Sequence, residues 1–511
     1  MPPRRRFGFL QSAFLAKGWC PIPDVVTPLS DSLLSSDHFD EPGVLEMQVQ
    51  RLSAAVRAPT ESFDDNGEVD EDPRWTTFDD FHAILEELFP LIYSHYKPKK
   101  VNRYGLLYTF NGTDVTRKPL LLTAHQDVAP AGPTSGWTCL SFSPHFDGTF
   151  LWGRGSNDCK NLLVGILSAL EDLISQDFTP KRTVGLAFGF DEESGGFRGA
   201  AKLAQALIAE WGIDSFEFLL DEGGMGAQEV GDVLYPLPAV AEKGYHDIEL
   251  TLHTTGGHSS KPPPHPASEH PYVPRLTQSN PFRRVLECRA TYSPSEVEPW
   301  LKEALQNGDE EEVATRLAES SHEERWLMQT SNALPETVMV LINHRIIPHE
   351  SIEVVNQHVH DVLEPIAASY GIQIMGPSAH VSNSQNATST GTLIFSFPRS
   401  LDLAPISPTN NQVWSVFAGT LRSVFQRPSS NSQKTHDRPR RVVPVGDIMT
   451  GNTDTQHYWS LTTNIYRFTP AREGSRVNTH WAVEKMRMDA HVEGIKVYYD
   501  SIRNFDEWNG E

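Results

Sequence analysis

Residues Thr183-Val-Gly-Leu-Ala-Phe-Gly-Phe190 form an unbroken apolar run of strand length that stops at three consecutive carboxylates, Asp191-Glu192-Glu193. A run without polar alternation predicts a strand covered on both faces. Two more runs behave alike: Leu120–Thr123 leads into His125, and Phe216–Leu220 leads into Asp221-Glu222-Gly-Gly224. Helical spacing fills the gaps, over Lys160–Leu173 and Gly199–Glu210. This alternation predicts an α/β fold, a mixed and mostly parallel sheet covered by helices. In such sheets the ligand site lies beyond the C-terminal ends of the strands.

The pattern changes after Glu242. His246–Thr254 alternates apolar and polar residues, as do Thr337–Ile342 and Thr390–Phe397, with a helix at Ser351–Ala367 between them. That is a β-α-β set with one solvated face, suited to a small α+β domain. A helix at Val413–Phe425, strands at Arg441–Val445, Tyr458–Leu461 and Asn464–Phe468, and a helix at Met488–Arg503 then complete the first unit. The expected organisation is a lead-in segment over 1–75, a discontinuous catalytic domain over 76–245 and 403–511, and an inserted domain over 246–402. The lead-in is rich in Pro, Asp and Ser, with one amphipathic stretch at Leu45–Val56, and a helix is expected at Phe78–Tyr93. The polar stretches 377–389 and 427–438 read as solvent loops.

A chain of 511 residues exceeds what one core supports. Its net charge of −23 argues against a phosphate-binding surface, so no nucleic-acid partner is expected. No apolar run of 18 residues exists to span a membrane. Cys20, Cys139, Cys159 and Cys288 are scattered and form no CxxC pair, which supports neither a disulfide framework nor a thiolate zinc site. Arg4–Arg6 followed by Phe7–Ala16 resembles a weak signal-peptide core, and Asn111-Gly-Thr113 and Asn386-Ala-Thr388 are glycosylation sequons. Secretory and cytosolic locations both remain open on these features.

Four blocks carry chemistry. In His125-Gln-Asp127, alternation directs an imidazole and a carboxylate the same way, and a metal-bound histidine needs an acceptor for its other N–H. A hydrated strand end is the ordinary explanation. The turn Trp152-Gly-Arg-Gly-Ser-Asn-Asp158 matches neither dinucleotide nor P-loop spacing, and Asp158 could serve as a helix cap. Three adjacent acids at 191–193 repel one another and lose solvation unless a cation or open solvent relieves them. With a metal, one glutamate ligates while its neighbour takes a proton from water. Asp221-Glu222 ends a neighbouring strand in the same manner. Together these blocks place hard oxygen ligands and imidazole on one sheet edge, a set that suits zinc, manganese or cobalt. His258, in a glycine-flanked turn, and His480, just before the last helix, are by themselves ordinary surface or structural histidines.

Taken in order, Ala124-His-Gln-Asp-Val128, His145-Phe-Asp-Gly148, Leu151-Trp-Gly-Arg-Gly155, Asp158-Cys-Lys-Asn161, Phe188-Gly-Phe-Asp-Glu-Glu193, Asp221-Glu-Gly223, Gly256-Gly-His-Ser-Ser260, Gly451-Asn-Thr-Asp454 and His480 resemble the aminoacylase/carboxypeptidase family of two-zinc amidohydrolases. The likeness is to its carboxypeptidase S branch and runs from about residue 45 to the C-terminus. It implies a zinc-peptidase catalytic domain with an inserted lid/dimerisation domain, and two zinc ions bridged by Asp158. His125 and Asp221 would hold one ion, Glu193 and His480 the other. Asp127 would orient His125 and Glu192 would be the general base and acid. His258 resembles the family's transition-state donor, often supplied across a dimer, and Asn343 resembles a lid residue that contacts substrate.

The implied activity is removal of C-terminal residues from short peptides, with N-acyl amino acid hydrolysis as the close alternative, in a vacuolar, secreted or cytoplasmic setting. A homodimer through the inserted domain is part of the same expectation. The chain departs from the family after Gly256–Ser260, where Lys261–Pro266 leads almost directly to Tyr272–Asn280, and again between Leu327 and Asn332. A lid shortened there puts dimerisation and the placement of His258 in doubt and allows a catalytically impaired, binding paralogue. No metal ligand implied by the resemblance is missing.

Overall fold

Strand Val184–Gly189 lies inside an eight-stranded sheet whose order is Lys99–Val101, Gly105–Phe110, Val184–Gly189, Leu120–His125, Phe218–Asp221, Ile465–Arg467, Ala239–Glu242 and Asp447–Met449. The central pairings are parallel, and the pairs at Gly105–Phe110 and Ala239 are antiparallel, so the sheet is mixed as expected. Both faces are apolar. Leu120, Leu122, Leu186 and Phe188 pack under helices Val44–Arg57, Lys160–Ser175, Gln412–Gln426 and Met488–Glu507. Leu121, Ala187 and Leu219 point the other way, onto helix Ala200–Trp211. Burial on two faces is why these strands lack polar alternation.

The computed structural model describes residues 20–29, 31–132, 136–137, 140–254, 257–258, 281–293, 295, 297, 299–307, 333–334, 337–377, 391–427 and 441–510. It divides into two units, Met1–Ala241 with Arg284–Val297 and Pro405–Glu511, and Glu242–Arg283 with Glu298–Ala404. The signal-like segment, the Asn386 sequon, Cys139, Lys261–Pro266, Tyr272–Asn280 and Leu327–Asn332 lie outside the described residues, as do nearly all of the two polar stretches.

Several expectations are corrected. The segment before residue 76 is no separate lead-in: Leu52, Ala55, Val56 and Trp75 are fully buried in the first unit. Residues 284–297 also fall in that unit rather than with the insertion. Cys20 and Cys288 form a disulfide across 268 residues of sequence, a pairing that only the fold reveals. The Phe78–Tyr93 helix is two, Thr77–Leu88 and Pro90–His95, because Pro90 cannot donate into a continuing helix. Tyr458–Leu461 is not a strand; a short 3-10 turn over Asp454–His457 runs into turn residues, which bury Tyr458 and Leu461 under the sheet.

In the second unit, strands Thr337–Ile346, Gly244–Thr254, Gly391–Ser396 and Ile372–Met375 lie in that order. Helix Ile352–Ser369 covers one face through Val359, against Ile248 and Phe395. The other face leaves Met339 and Leu341 exposed, the one-sided solvation that the alternating pattern predicts.

Candidate metal centre

Three parallel strands end together. His125 is level with Gly189, and Leu122 with Leu220, so the acids after each strand emerge on one edge. A Cβ on Gly189 or Gly196 would run into the Asp454 carboxylate and force it to shift. Asp454, from Gly451-Asn-Thr-Asp454, is buried, and burial with Asp191 and Asp221 nearby holds its pKa well above the carboxylate range.

The ring of His125 is almost fully buried. Its Nδ1 lies 2.9 Å from the carbonyl of Asp127 and 3.3 Å from that residue's carboxylate, which leaves Nε2 facing inward. There Nε2 lies 3.1 Å from Glu222 Oε1 and 3.4 Å from Asp158 Oδ1, yet makes no hydrogen bond. A buried ring nitrogen aimed between two carboxylates without hydrogen-bonding geometry fits a ligand of a shared cation. The resemblance implies Asp221 for this place, but the structure turns Asp221 away. It lies on the face of Leu219, next to Thr123, whose hydroxyl donates to the Leu220 carbonyl at 3.3 Å, and its Oδ2 is buried without a partner. Glu222, one residue on, points the opposite way and reaches His125. Burial and the nearby acids raise the Glu222 pKa to about 7.

Asp158 stands between the two halves of the site. Its Oδ1 faces His125, and its Oδ2 lies 2.8 Å from His480 Nε2, which is also 3.1 Å from Glu193 Oε2. Hydrogen bonds to Asp158 and Glu193 raise the His480 pKa to about 10. Glu193 is anchored by the Ala129 N–H, which donates to Oε1 at 3.0 Å. Among the described residues, two groups are close enough to share an ion, His125 with Asp158 and Glu193, and His125 with Cys159 and Glu222, each with donor atoms within 4.8 Å. Clustered acids around an unbonded imidazole nitrogen form a donor set that a pair of divalent cations would complete.

Asp127 is wholly buried and works as a hub. Besides facing His125, it accepts the backbone N–H groups of Glu192 and Glu193, both at 3.1 Å, and the Ser62 hydroxyl at 2.5 Å. Of the three acids at 191–193, Asp191 turns back and accepts the N–H groups of Arg198 and Gly199, each at 2.7 Å. Glu193 joins the cluster. Glu192 stays beside it, and burial with Glu222, Glu193 and Asp454 nearby holds its pKa well above the usual range.

His258 pairs through its backbone with Ala333 in a two-residue ladder of the second unit. Asn343 lies on the exposed face of strand Thr337–Ile346, where its Nδ2 donates to Asp247 Oδ1 at 2.6 Å. Sequence reasoning missed Ser62 and Glu222. Glu222 was accessible by counting one pleat past the strand, whereas Ser62 carries no local signal.

Residues 121–504 match the family model described as Peptidase family M20/M25/M40. The chain is 35% identical to carboxypeptidase S of Saccharomyces cerevisiae, over 96% of this chain and 89% of that protein. It is 29% identical to the N-fatty-acyl-amino acid synthase/hydrolase PM20D1 of Bos taurus, over 89% and 87% respectively. Among solved structures, an M20 family metallo-carboxypeptidase from Sulfolobus solfataricus shares the fold at a TM-score of 0.58 and 16% identity, over 90% of this chain and 99% of that one. The resemblance carried by the motif blocks is borne out: the chain belongs to peptidase family M20/M25/M40.

Proposed function

We propose that the protein is a metal-dependent carboxypeptidase that hydrolyses the C-terminal peptide bond of short peptides. The observation that carries this is the convergence of His125, Asp158, Glu193, Glu222 and His480 beside the free carboxylate of Glu192. His125 and Glu222 would hold one divalent cation, Glu193 and His480 the other, and Asp158 would bridge them; zinc suits this mixture of imidazole and carboxylate. Bound there, a pair of cations polarises the scissile carbonyl and lowers the pKa of water toward neutrality.

The chain supplies the rest. Asp127 holds His125 in the tautomer that keeps Nε2 free, and fixes the 192–193 turn through two backbone N–H groups. Glu192, whose carboxylate is not tied down by a side-chain hydrogen bond and sits half-buried beside Glu193 and Glu222, takes a proton from the attacking water on a carboxylate oxygen and returns it to the departing amine. His258 and Asn343 are proposed substrate contacts from the second unit.

A second reading, hydrolysis of N-acyl amino acids, is favoured by the 29% identity to an N-fatty-acyl-amino acid synthase/hydrolase along nearly the whole chain. The Cys20–Cys288 disulfide supports a vacuolar or secreted location, because such bonds persist in oxidising compartments. Exposed Met339 and Leu341 on strand Thr337–Ile346 support a homodimer through the second unit.

The deciding experiment assays purified protein on blocked dipeptides and N-acyl amino acids, with bound metal quantified before and after chelation. Chelator-sensitive release of C-terminal residues from peptides is expected. Turnover of acyl substrates alone would favour the second reading, and chelator-insensitive turnover would overturn the metal assignment.

A further inference from the structure

Glu484 lies four residues beyond His480 and is fully buried. Four donors converge on its carboxylate. Oε2 accepts Arg154 Nη1 at 2.8 Å and the Gly155 N–H at 3.1 Å. Oε1 accepts the N–H groups of Asn157 at 2.8 Å and Asp158 at 3.2 Å. Three of these donors are backbone groups of the glycine-rich turn that ends in Asp158. Those N–H groups point inward, and a single anion satisfies them together, as oriented amides do for bound anions elsewhere.

The same two segments are joined at further points. The Gly153 N–H donates to the Glu484 carbonyl at 3.0 Å. Asn157 Nδ2 donates to the carbonyls of Val477 and Lys485 at 2.9 and 3.0 Å, and its Oδ1 accepts the Thr479 hydroxyl at 2.9 Å. Between those anchors the chain is contorted: Asn478, His480 and Val483 have φ of 59°, 61° and 60°. A branched side chain such as Val483 rarely adopts that conformation, and it persists only where its surroundings over-determine it. The turn carrying Asp158 and the loop carrying His480 are therefore one assembly, with the Glu484 carboxylate at the junction.

We infer that Glu484 is a positioning residue of the metal centre, holding the bridging carboxylate of Asp158 and the imidazole of His480 at the separation that two cations require. The inference rests on the two-cation reading above. Glu484 touches neither His125 nor Glu222 among its hydrogen bonds, so its effect passes through the turn and the loop alone. Replacing it by glutamine keeps the size but presents an NH₂ to groups that are themselves donors, so at least one backbone N–H loses its partner.

The test is zinc competition against a chromophoric chelator, for the wild type and Glu484→Gln, with thermal melts recorded with and without zinc. Orientation of ligands from behind is worth roughly 10–100-fold in metal affinity, so weakening of that size is expected in Glu484→Gln. The zinc-dependent rise in Tm should shrink in parallel, whereas a merely structural role would lower both melts equally and leave the rise intact. Unchanged zinc affinity in Glu484→Gln overturns the inference. A wild type that binds no zinc overturns instead the reading on which it rests. If Glu484→Gln does not fold, Asn157→Ala, which loosens the same junction from the other side, decides: weakening of at least about threefold supports the inference and an unchanged affinity overturns it.

Discussion

The hydroxyl of Ser62 donates to the carboxylate of Asp127 at 2.5 Å, joining the N-terminal segment to the residue behind His125. Thr60 makes a parallel link, its hydroxyl donating to the Gln126 carbonyl at 2.7 Å. Ser62→Ala leaves a buried carboxylate one donor short, a loss of about 1–3 kcal/mol. Denaturant unfolding should show that drop, accompanied by weaker metal retention during dialysis against chelator. Unaltered unfolding and retention would mean that the contact contributes nothing.

Glu192 makes no side-chain hydrogen bond within the cluster that would anchor it as a ligand, in contrast to Glu193. Glu192→Gln should retain the wild-type complement of metal and lose hydrolysis by about 100-fold or more, the scale of general-base catalysis. Metal analysis and steady-state kinetics on one preparation check both halves, and near-normal kcat would remove Glu192 from the role.

The two acids of Asp221-Glu222 should behave differently, because only Glu222 faces His125. Glu222→Gln is expected to lower bound metal toward one ion per chain, and Asp221→Asn to leave the count intact. Metal analysis of the purified variants discriminates. The opposite result would restore Asp221 to the ligand set.

His491 is buried in helix Met488–Glu507, its Nε2 has no hydrogen-bond partner, and burial pushes its pKa down to about 3. An unfolded histidine titrates near 6.5, so between these values the unfolded chain binds the additional proton. The stability that the neutral ring contributes is complete above pH about 6.5 and is lost as the pH falls toward about 3, at roughly 1.4 kcal/mol per unit. His491→Phe should therefore lose about 2 kcal/mol less than the wild type between pH 7 and pH 5, read from urea unfolding at the two pH values. Parallel losses would show that His491 titrates normally.

The Cys20–Cys288 disulfide ties the start of the described chain to helix Pro281–Tyr292, beside Val233, Tyr235 and Val443. Cys20→Ser/Cys288→Ser should be less stable by about 2–5 kcal/mol, and reductant should lower the wild-type melting temperature while sparing the variant. A wild type indifferent to reductant would contradict this.

The sequence carried the central strands because burial on two faces writes itself as unbroken apolar runs, as at Val184–Gly189. Strands of three or four residues, such as Lys99–Val101 and Asp447–Met449, are too short for periodicity to register, and the sheet's outer parts were accordingly not anticipated. His125, Asp158, Glu193 and His480 were legible through motif blocks. Choosing between Asp221 and Glu222 needed the pleat. Ser62, Glu484 and the disulfide depend on pairings between distant segments, about which local residue patterns are silent. The start of the chain was misjudged for the same reason: the amphipathic stretch at Leu45–Val56 shows an apolar face but not what covers it, and Leu52, Ala55 and Val56 complete a core assembled from helices far along the sequence.

Lys160 gives that misjudgement a practical edge. Its amine, shut away two residues after Asp158, donates to the carbonyls of Ala55 and Ala58 at 3.1 and 2.7 Å and lies over the ring of Phe81. Trimming the protein back to the 121–504 stretch recognised by the family model would strip away both acceptors and leave a buried amine without partners directly behind the turn that carries Asp158. A shortened form of the protein should therefore keep the segment from Ala55 to Phe81.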